Sequence, residues 1–326
     1  MSVESPADNV TVSGRIGPDP VGLTTASLTL LTAALWGGTP VAIRFATDQL
    51  EPVMVAAIRF AMAAVFMLFW LRWEGGGLRM RSGQWRPALI LGALLFAQIS
   101  LFNVGVARSN ASHGSLFINT FIFWVAGIEH WITGDDRLTL RKTLGLLLAG
   151  IAALSVVALE AGPSATASAH PEQPTVVGDL ILLASALLLG IKIVYTKFAV
   201  RHVEPGKLIF WHDVVGTVLF LIWSGLFETT ELSDFTGPVI LALLYQGVVV
   251  AGFCFAIQAV LLRRHSASQI SVFSATTPLF GIALGVMFRG DSLSPWLIAA
   301  GLCVAVGIYL VSVSPSGPGT GSSDRS

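Results

Sequence analysis

Ten apolar stretches follow one another along the chain, at 26 to 46, 52 to 72, 87 to 107, 110 to 132, 139 to 159, 179 to 200, 205 to 226, 238 to 262, 267 to 288 and 295 to 313. Each holds the ~20 residues that a helix needs to cross the hydrocarbon layer of a bilayer. The run from Leu144 to Leu159 is apolar on every face, and the period-two alternation of a membrane barrel is missing. The stretches therefore predict helices rather than strands, because only a helix satisfies its backbone within one segment in lipid. The expected fold is an all-α membrane protein of ten transmembrane helices. Segments 1–25 and 314–326 are polar and are expected to be disordered cytoplasmic tails, without the basic start and apolar core of a signal peptide.

The pattern also repeats itself. Arg108 to Phe117 reads RSNASHGSLF and Arg264 to Phe273 reads RHSASQISVF, an offset of 156 residues. The same offset carries Thr120 onto Thr276, Gly134-Asp135 onto Gly290-Asp291 and Gly145 onto Gly301. Earlier, Gly37, Arg44-Phe45-Ala46 and Glu51-Pro52 meet Gly190, Lys197-Phe198-Ala199 and Glu204-Pro205 at an offset of 153. Two units follow, 26–160 and 179–313, joined by a Pro-, Ala-, Ser- and Thr-rich outer linker at 161–178. Five spans precede the second unit, so it enters the bilayer from the opposite side and the repeat is inverted. An apolar chain of two related halves is the pattern of a secondary transporter with its site between the halves near the midplane.

Charge orients the helices. Counting loops alternately, fourteen of the nineteen Lys and Arg residues fall on one side and three on the other (Arg44, Arg108 and Arg289), with Arg59 and Lys192 inside spans. The positive-inside rule then puts both termini in the cytoplasm. Composition agrees with a membrane protein, with 54% hydrophobic and 12% charged residues and a mean hydropathy of +0.75. Cys254 and Cys303 lie in predicted spans without neighbouring His or Cys, so no disulfide, metal site or cofactor is expected.

Several stretches resemble a known family. They are Ala34-Leu35-Trp36-Gly37-Gly38-Thr39-Pro40 in span 1, Glu51-Pro52 with Ile58-Arg59-Phe60 in span 2, and Asp136-Arg137-Leu138-Thr139 with Gly145 at span 5. Around span 10, Thr277-Pro278 and Gly290-Asp291-Ser292-Leu293-Ser294-Pro295 complete the set. Together they are similar to the two EamA-type repeats of the drug/metabolite transporter superfamily, over about residues 26 to 313. The resemblance implies two inverted five-helix repeats, an exporter or importer of small metabolites in a bacterial inner membrane, and a cavity walled mainly by spans 1, 3, 4, 6, 8 and 9. Two departures stand out. The family has Pro in the middle of spans 4 and 9, whereas here only Pro278 is present and Phe121-Ile122 hold the partner position, so a bend in span 4 lacks its sequence signal. Asp136 and Asp291 replace Glu, and beside Thr139 and Ser294-Pro295 each is expected to favour a helix N-terminus.

Polar groups at mid-span are costly in lipid and turn toward the bundle interior or a cavity. Trp36, Gln98, Asn119, Thr120, Lys192, Thr276 and Thr277 lie near the midplane on spans 1, 3, 4, 6 and 9, and are the expected substrate-binding residues. Gly37, Gly38, Pro40 and Pro278 weaken the helical ladder beside them and are expected hinges; close helix packing through small residues is the alternative. Lys192, with Tyr195 on the same face, suits a carboxylate or other anionic group on a substrate whose apolar body rests on Trp36, Phe121 or Trp124. The alternative makes Asp213 a structural partner of Lys192. Arg59 is expected to pack structurally, reaching toward the outer interface. His212-Asp213 is a candidate proton relay or an ordinary interhelical hydrogen bond, Glu129-His130 a second candidate pair, and His113 an interfacial residue.

Three function classes remain after this reading. A secondary carrier exporting a small amphipathic metabolite, such as an amino acid or an organic anion, by alternating access fits best, with protons as a candidate coupling ion. A channel would need a continuous polar ring or filter. A membrane-embedded enzyme could use His212-Asp213, but no catalytic or nucleotide-binding motif accompanies it, so no enzyme activity is expected. The partners expected are a small-molecule substrate and the lipid bilayer, with no nucleic acid.

Overall fold

The computed structural model describes residues 22–73, 75–133, 138–159, 174–254 and 275–313, with Ile257, Leu261 and Phe273. Asp136, most of the 161–178 linker, residues 1–21 and 314–326 and the second copy of the repeated decapeptide up to Val272 lie outside the described residues, while Leu23–Thr25 of the expected first tail are already helical. Nine helical segments among those described are long and apolar enough to span a membrane, and the shorter apolar helix Thr277–Arg289 is the described part of a tenth. The protein is therefore an all-helical, multi-pass membrane protein.

Span 1 consists of Leu23–Gly37 and Thr39–Thr47. Spans 2 and 3 are Pro52–Trp73 and Trp85–Arg108. Span 4 is divided into Ala111–Ile118 and Phe121–Ile128 and ends in a π-turn, Glu129–Thr133. Spans 5, 6 and 7 are Leu140–Leu159, Val176–Ala199 and Pro205–Phe227. Span 8 starts as Gly237–Leu244 and widens into a π-helix, Tyr245–Cys254. Thr277–Arg289 belongs to span 9, and span 10 is Pro295–Val313.

Lipid tails are as apolar as leucine, so burial of Leu and Val side chains does little to press these helices together, and close backbone approach matters more. The sequence supplies glycine at several of these crossings. A methyl group built on Gly37 in span 1 would sit 2.9 Å from Thr277 O, 3.0 Å from Phe280 Cβ and 2.9 Å from Gly281 N in span 9. One built on Gly190 in span 6 would meet Phe121 O at 3.4 Å, Trp124 Cβ at 2.8 Å and Val125 N at 3.3 Å in span 4. The contact partners correspond atom for atom under the offset of 156, as Gly37 and Gly190 do under 153. Each half thus lends its first span to the fourth span of the other. Spans 5 and 10 add a reciprocal contact, Gly145 on Gly307 O at 2.9 Å and Gly307 on Gly145 O at 2.8 Å.

This packing makes a contrast measurable. Gly37→Ala and Gly190→Ala are each expected to destabilise the bundle by about 1–3 kcal/mol through overpacking. Gly150, in span 5, has nothing within 4 Å of an added methyl group. Gly150→Ala should leave stability unchanged or raise it by up to ~1 kcal/mol through helix propensity. Thermal unfolding of the three variants in detergent micelles checks this, and equal melting temperatures would contradict the assigned crossings.

Candidate functional site

Gln98, Ser185 and Lys192 form one connected polar group between the halves near the midplane, which Asn119, Thr120 and Thr276 do not join. Gln98 on span 3 is 1% exposed. Its Nε2 donates to Ser185 Oγ at 3.1 Å, Ser185 Oγ donates back to Gln98 O at 2.9 Å, and Lys192 Nζ donates to Gln98 Oε1 at 3.1 Å. Ser185 and Lys192 lie two turns apart on span 6, so one face of a second-half helix grips a first-half side chain. Both ends of the Gln98 amide are engaged, which determines its orientation. A hydrogen bond from a charged donor contributes about 1.5–3 kcal/mol.

The direct Lys192–Asp213 pair allowed by the sequence does not form: Lys192 turns to Gln98, and no ion pair between the two is present among the described residues. Asp213, buried on span 7, instead acts electrostatically on both Lys192 and Arg59. Arg59 does not reach an outer interface. It is 8% exposed, its Nε and Nη1 are buried without acceptors, and its guanidinium lies over the Phe60 ring at 5.2 Å. His212 Nδ1 is 2.9 Å from Asp213 Oδ1 but is not in hydrogen-bonding geometry. Tyr195 packs against the apolar cluster of Met80, Ala88, Leu91, Ala199, Val203 and Leu208 rather than joining the polar group.

Helix interruptions flank this group. Span 1 breaks at Gly38, with Pro40 at the start of the next segment, so a backbone donor is missing where the ladder would continue. Tyr245, at the start of the span 8 π-helix, donates its hydroxyl to Leu35 O at 2.5 Å, beside half-buried Trp36. Sequence reading missed Tyr245, although it is the one tyrosine in span 8 and lies at mid-span. Span 4 breaks at Asn119-Thr120 without any proline. There Thr120 Oγ1 donates to Phe117 O at 2.7 Å, and in span 9 Thr276 Oγ1 donates to Phe273 O at 2.7 Å. The two halves therefore break alike. Asn119 Nδ2 likewise donates to Ser115 O at 2.7 Å, and Thr277 and Pro278 are buried in the turn that begins the span 9 helix. The Thr120 and Thr276 hydroxyl protons serve the chain's own carbonyls, so these two side chains are left to face a ligand as acceptors, while Asn119 keeps a second N–H.

A family model described as the EamA-like transporter family matches the chain twice, over residues 23–158 and 176–313. The chain belongs to the EamA-like transporter family. It is 23% identical to the uncharacterized transporter YoaV of Bacillus subtilis over 85% of this chain and 92% of that one. It is 24% identical to a protein of Salmonella typhimurium named a probable amino-acid metabolite efflux pump, over 87% and 93% of the two chains. A solved crystal structure superposes with a TM-score of 0.62 at 19% identity, covering 89% of this chain and 96% of its own, a likeness of fold.

In this EamA-like transporter, polar contacts bridge the halves at the end of the bundle away from the termini. His113 is not interfacial: it is 1% exposed, with Nδ1 3.0 Å from Oδ2 of Asp179, which is itself fully buried at the start of span 6. Ser109 Oγ donates to Asp179 Oδ1 at 2.6 Å. Arg289 pairs with Asp48 through Nη1–Oδ2 at 2.7 Å and Nη2–Oδ1 at 3.2 Å. Glu228 accepts from the Val53 and Met54 N–H groups at 2.9 Å each, capping span 2. Asp291 does cap a helix, but not the one that follows it. Its Oδ2 accepts from Ser112 N at 2.7 Å in span 4, while Ser294 Oγ accepts from Leu297 N at the start of span 10. At the opposite end, Lys197 Nζ donates to Glu129 Oε1 at 2.8 Å.

Asp291→Ala removes the acceptor for a buried backbone donor and is expected to cost about 1–3 kcal/mol. Asp291→Asn keeps a carbonyl oxygen there and should recover most of the loss. Thermal unfolding of both variants measures the difference, and an alanine variant as stable as the parent would show the cap to be dispensable.

Proposed function

We propose that this chain is a secondary carrier that exports a small amphipathic metabolite, an amino acid or an organic anion, across a bacterial inner membrane. Alternating access would come from rocking of the two five-helix units, 26–160 and 179–313, about the midplane. One observation carries the reading: the Gln98–Ser185–Lys192 group joins the two halves at mid-depth between interrupted helices, where relative movement of the halves must remake it. Trp36, Asn119, Thr120, Thr276 and Thr277 border that depth, and Gly37, Gly38, Pro40 and Pro278 serve as the hinges. The relative named as an amino-acid metabolite efflux pump supports the direction and the class of cargo. The fourteen-to-three division of Lys and Arg supports cytoplasmic termini and an external 161–178 linker.

Proteoliposomes containing the purified chain should show saturable flux of a labelled panel of amino acids and organic acids, and counterflow exchange. Flux at channel rates, without saturation, would overturn the carrier reading. A cysteine placed in the 161–178 linker is expected to react with an impermeant reagent added outside intact cells.

His212 and Asp213 are the proposed coupling pair, since a buried carboxylate beside an imidazole can take up and release a proton during the cycle. Asp213→Asn should abolish transport driven by a pH gradient while leaving counterflow exchange, which requires no net proton movement. Loss of exchange together with pH-driven transport, in a variant that still folds, would remove Asp213 from coupling.

A further inference from the structure

The three charged residues at the midplane do not balance. Arg59 and Lys192 are cations on spans 2 and 6, and Asp213 on span 7 is the anion that acts on both. Arg59 makes no hydrogen bond among the described residues, and its Nε and Nη1 are buried with no acceptor. Its contact with the Phe60 ring, 5.2 Å from Cζ to the centroid, supplies no hydrogen-bond acceptor lone pair to those N–H groups. Lys192 gives one proton to Gln98 Oε1, a neutral acceptor, and keeps two donors. No carboxylate lies within ion-pair distance of either cation among the described residues, and the Arg59 charge disfavours that of Lys192. Arrangements like this are unfavourable in a membrane interior unless an anion completes them.

We infer that Arg59 and Lys192 together bind the carboxylate of an organic acid carrying a net negative charge. A monocarboxylate brings the local charge to zero and supplies acceptors in the plane that the guanidinium fork requires. A zwitterionic amino acid leaves the excess positive charge in place, and an amine adds to it. Asp213, set back from both cations, offsets one of the two positive charges of the empty site and repels the ligand, so an incoming carboxylate competes with it for the same two cations. Arg59 thereby moves from a packing residue to a ligand-binding one. The inference rests on the carrier reading for its physiological meaning, but binding to the purified chain tests it separately.

The experiment uses two matched sets of probes on the full chain in nanodiscs, with calorimetry as the readout. The first is 3-phenylpropionate, phenylalanine and 2-phenylethylamine; the second is 4-methylpentanoate, leucine and isoamylamine. In at least one set the carboxylate should bind about tenfold or more tightly than the amino acid, and the amine should not bind. Arg59→Gln and Lys192→Met should each weaken carboxylate binding by about tenfold or more, and Asp213→Asn should strengthen it. Circular dichroism and thermal unfolding select the variants that fold. If Arg59→Gln fails to fold and Asp213→Asn rescues it, the two form a structural pair and the proposal is overturned. Equal affinity for acid, zwitterion and amine overturns it too, as does carboxylate binding that survives both substitutions or the failure of both carboxylates to bind. Selective carboxylate binding without any flux would retain this site and remove the carrier reading, whereas saturable flux of amines with carboxylates excluded would do the reverse.

Discussion

A helix interrupted inside a bilayer exposes carbonyl groups that lipid cannot satisfy, and each such group costs several kcal/mol if left alone. Among the described residues, the interruptions of spans 1, 4 and 9 are met from within the protein. Thr120 and Thr276 turn back to the carbonyls of Phe117 and Phe273, Asn119 to that of Ser115, and Tyr245 crosses from span 8 to Leu35. Local side-chain bonds of this kind allow a span to change direction without proline. They also bring polar atoms to the middle of the membrane, where the apolar composition of the spans otherwise forbids them.

The interruptions lie beside the closest helix crossings. Gly37 and Gly190 let two backbones approach at equivalent points of the two halves, next to the broken turns of spans 9 and 4. Glycine at both places brings the first span of each half into backbone contact there, while Ile43 and Leu182 of the same spans pack into the apolar core. Away from the termini the bond types differ. There the halves are joined by charged and capping contacts, His113 to Asp179, Arg289 to Asp48 and Asp291 to Ser112 N. Directional polar bonds break and re-form as units, whereas glycine contacts tolerate small rotations.

Much of this was legible along the chain. The ten spans, the offsets of 153 and 156 and the inward placement of the polar residues follow from one thermodynamic rule, that lipid accepts apolar side chains and satisfied backbones and little else. The repeat was legible because residues that hold equivalent contacts, such as Gly37 with Gly190 and Thr120 with Thr276, recur in order.

The pairings were decided by the tertiary structure. Lys192 meets Gln98 and not Asp213, His113 is buried against Asp179, Asp291 caps span 4 and not span 10, and Tyr195 leaves the polar group for an apolar cluster. Each of these contacts depends on how far one helix is rotated against another. In a soluble helix the apolar stripe announces that rotation. Spans that are apolar all round, such as span 5, carry no such stripe, so the chain specifies which residues must be inside the bundle, while helix crossing alone determines which of them touch.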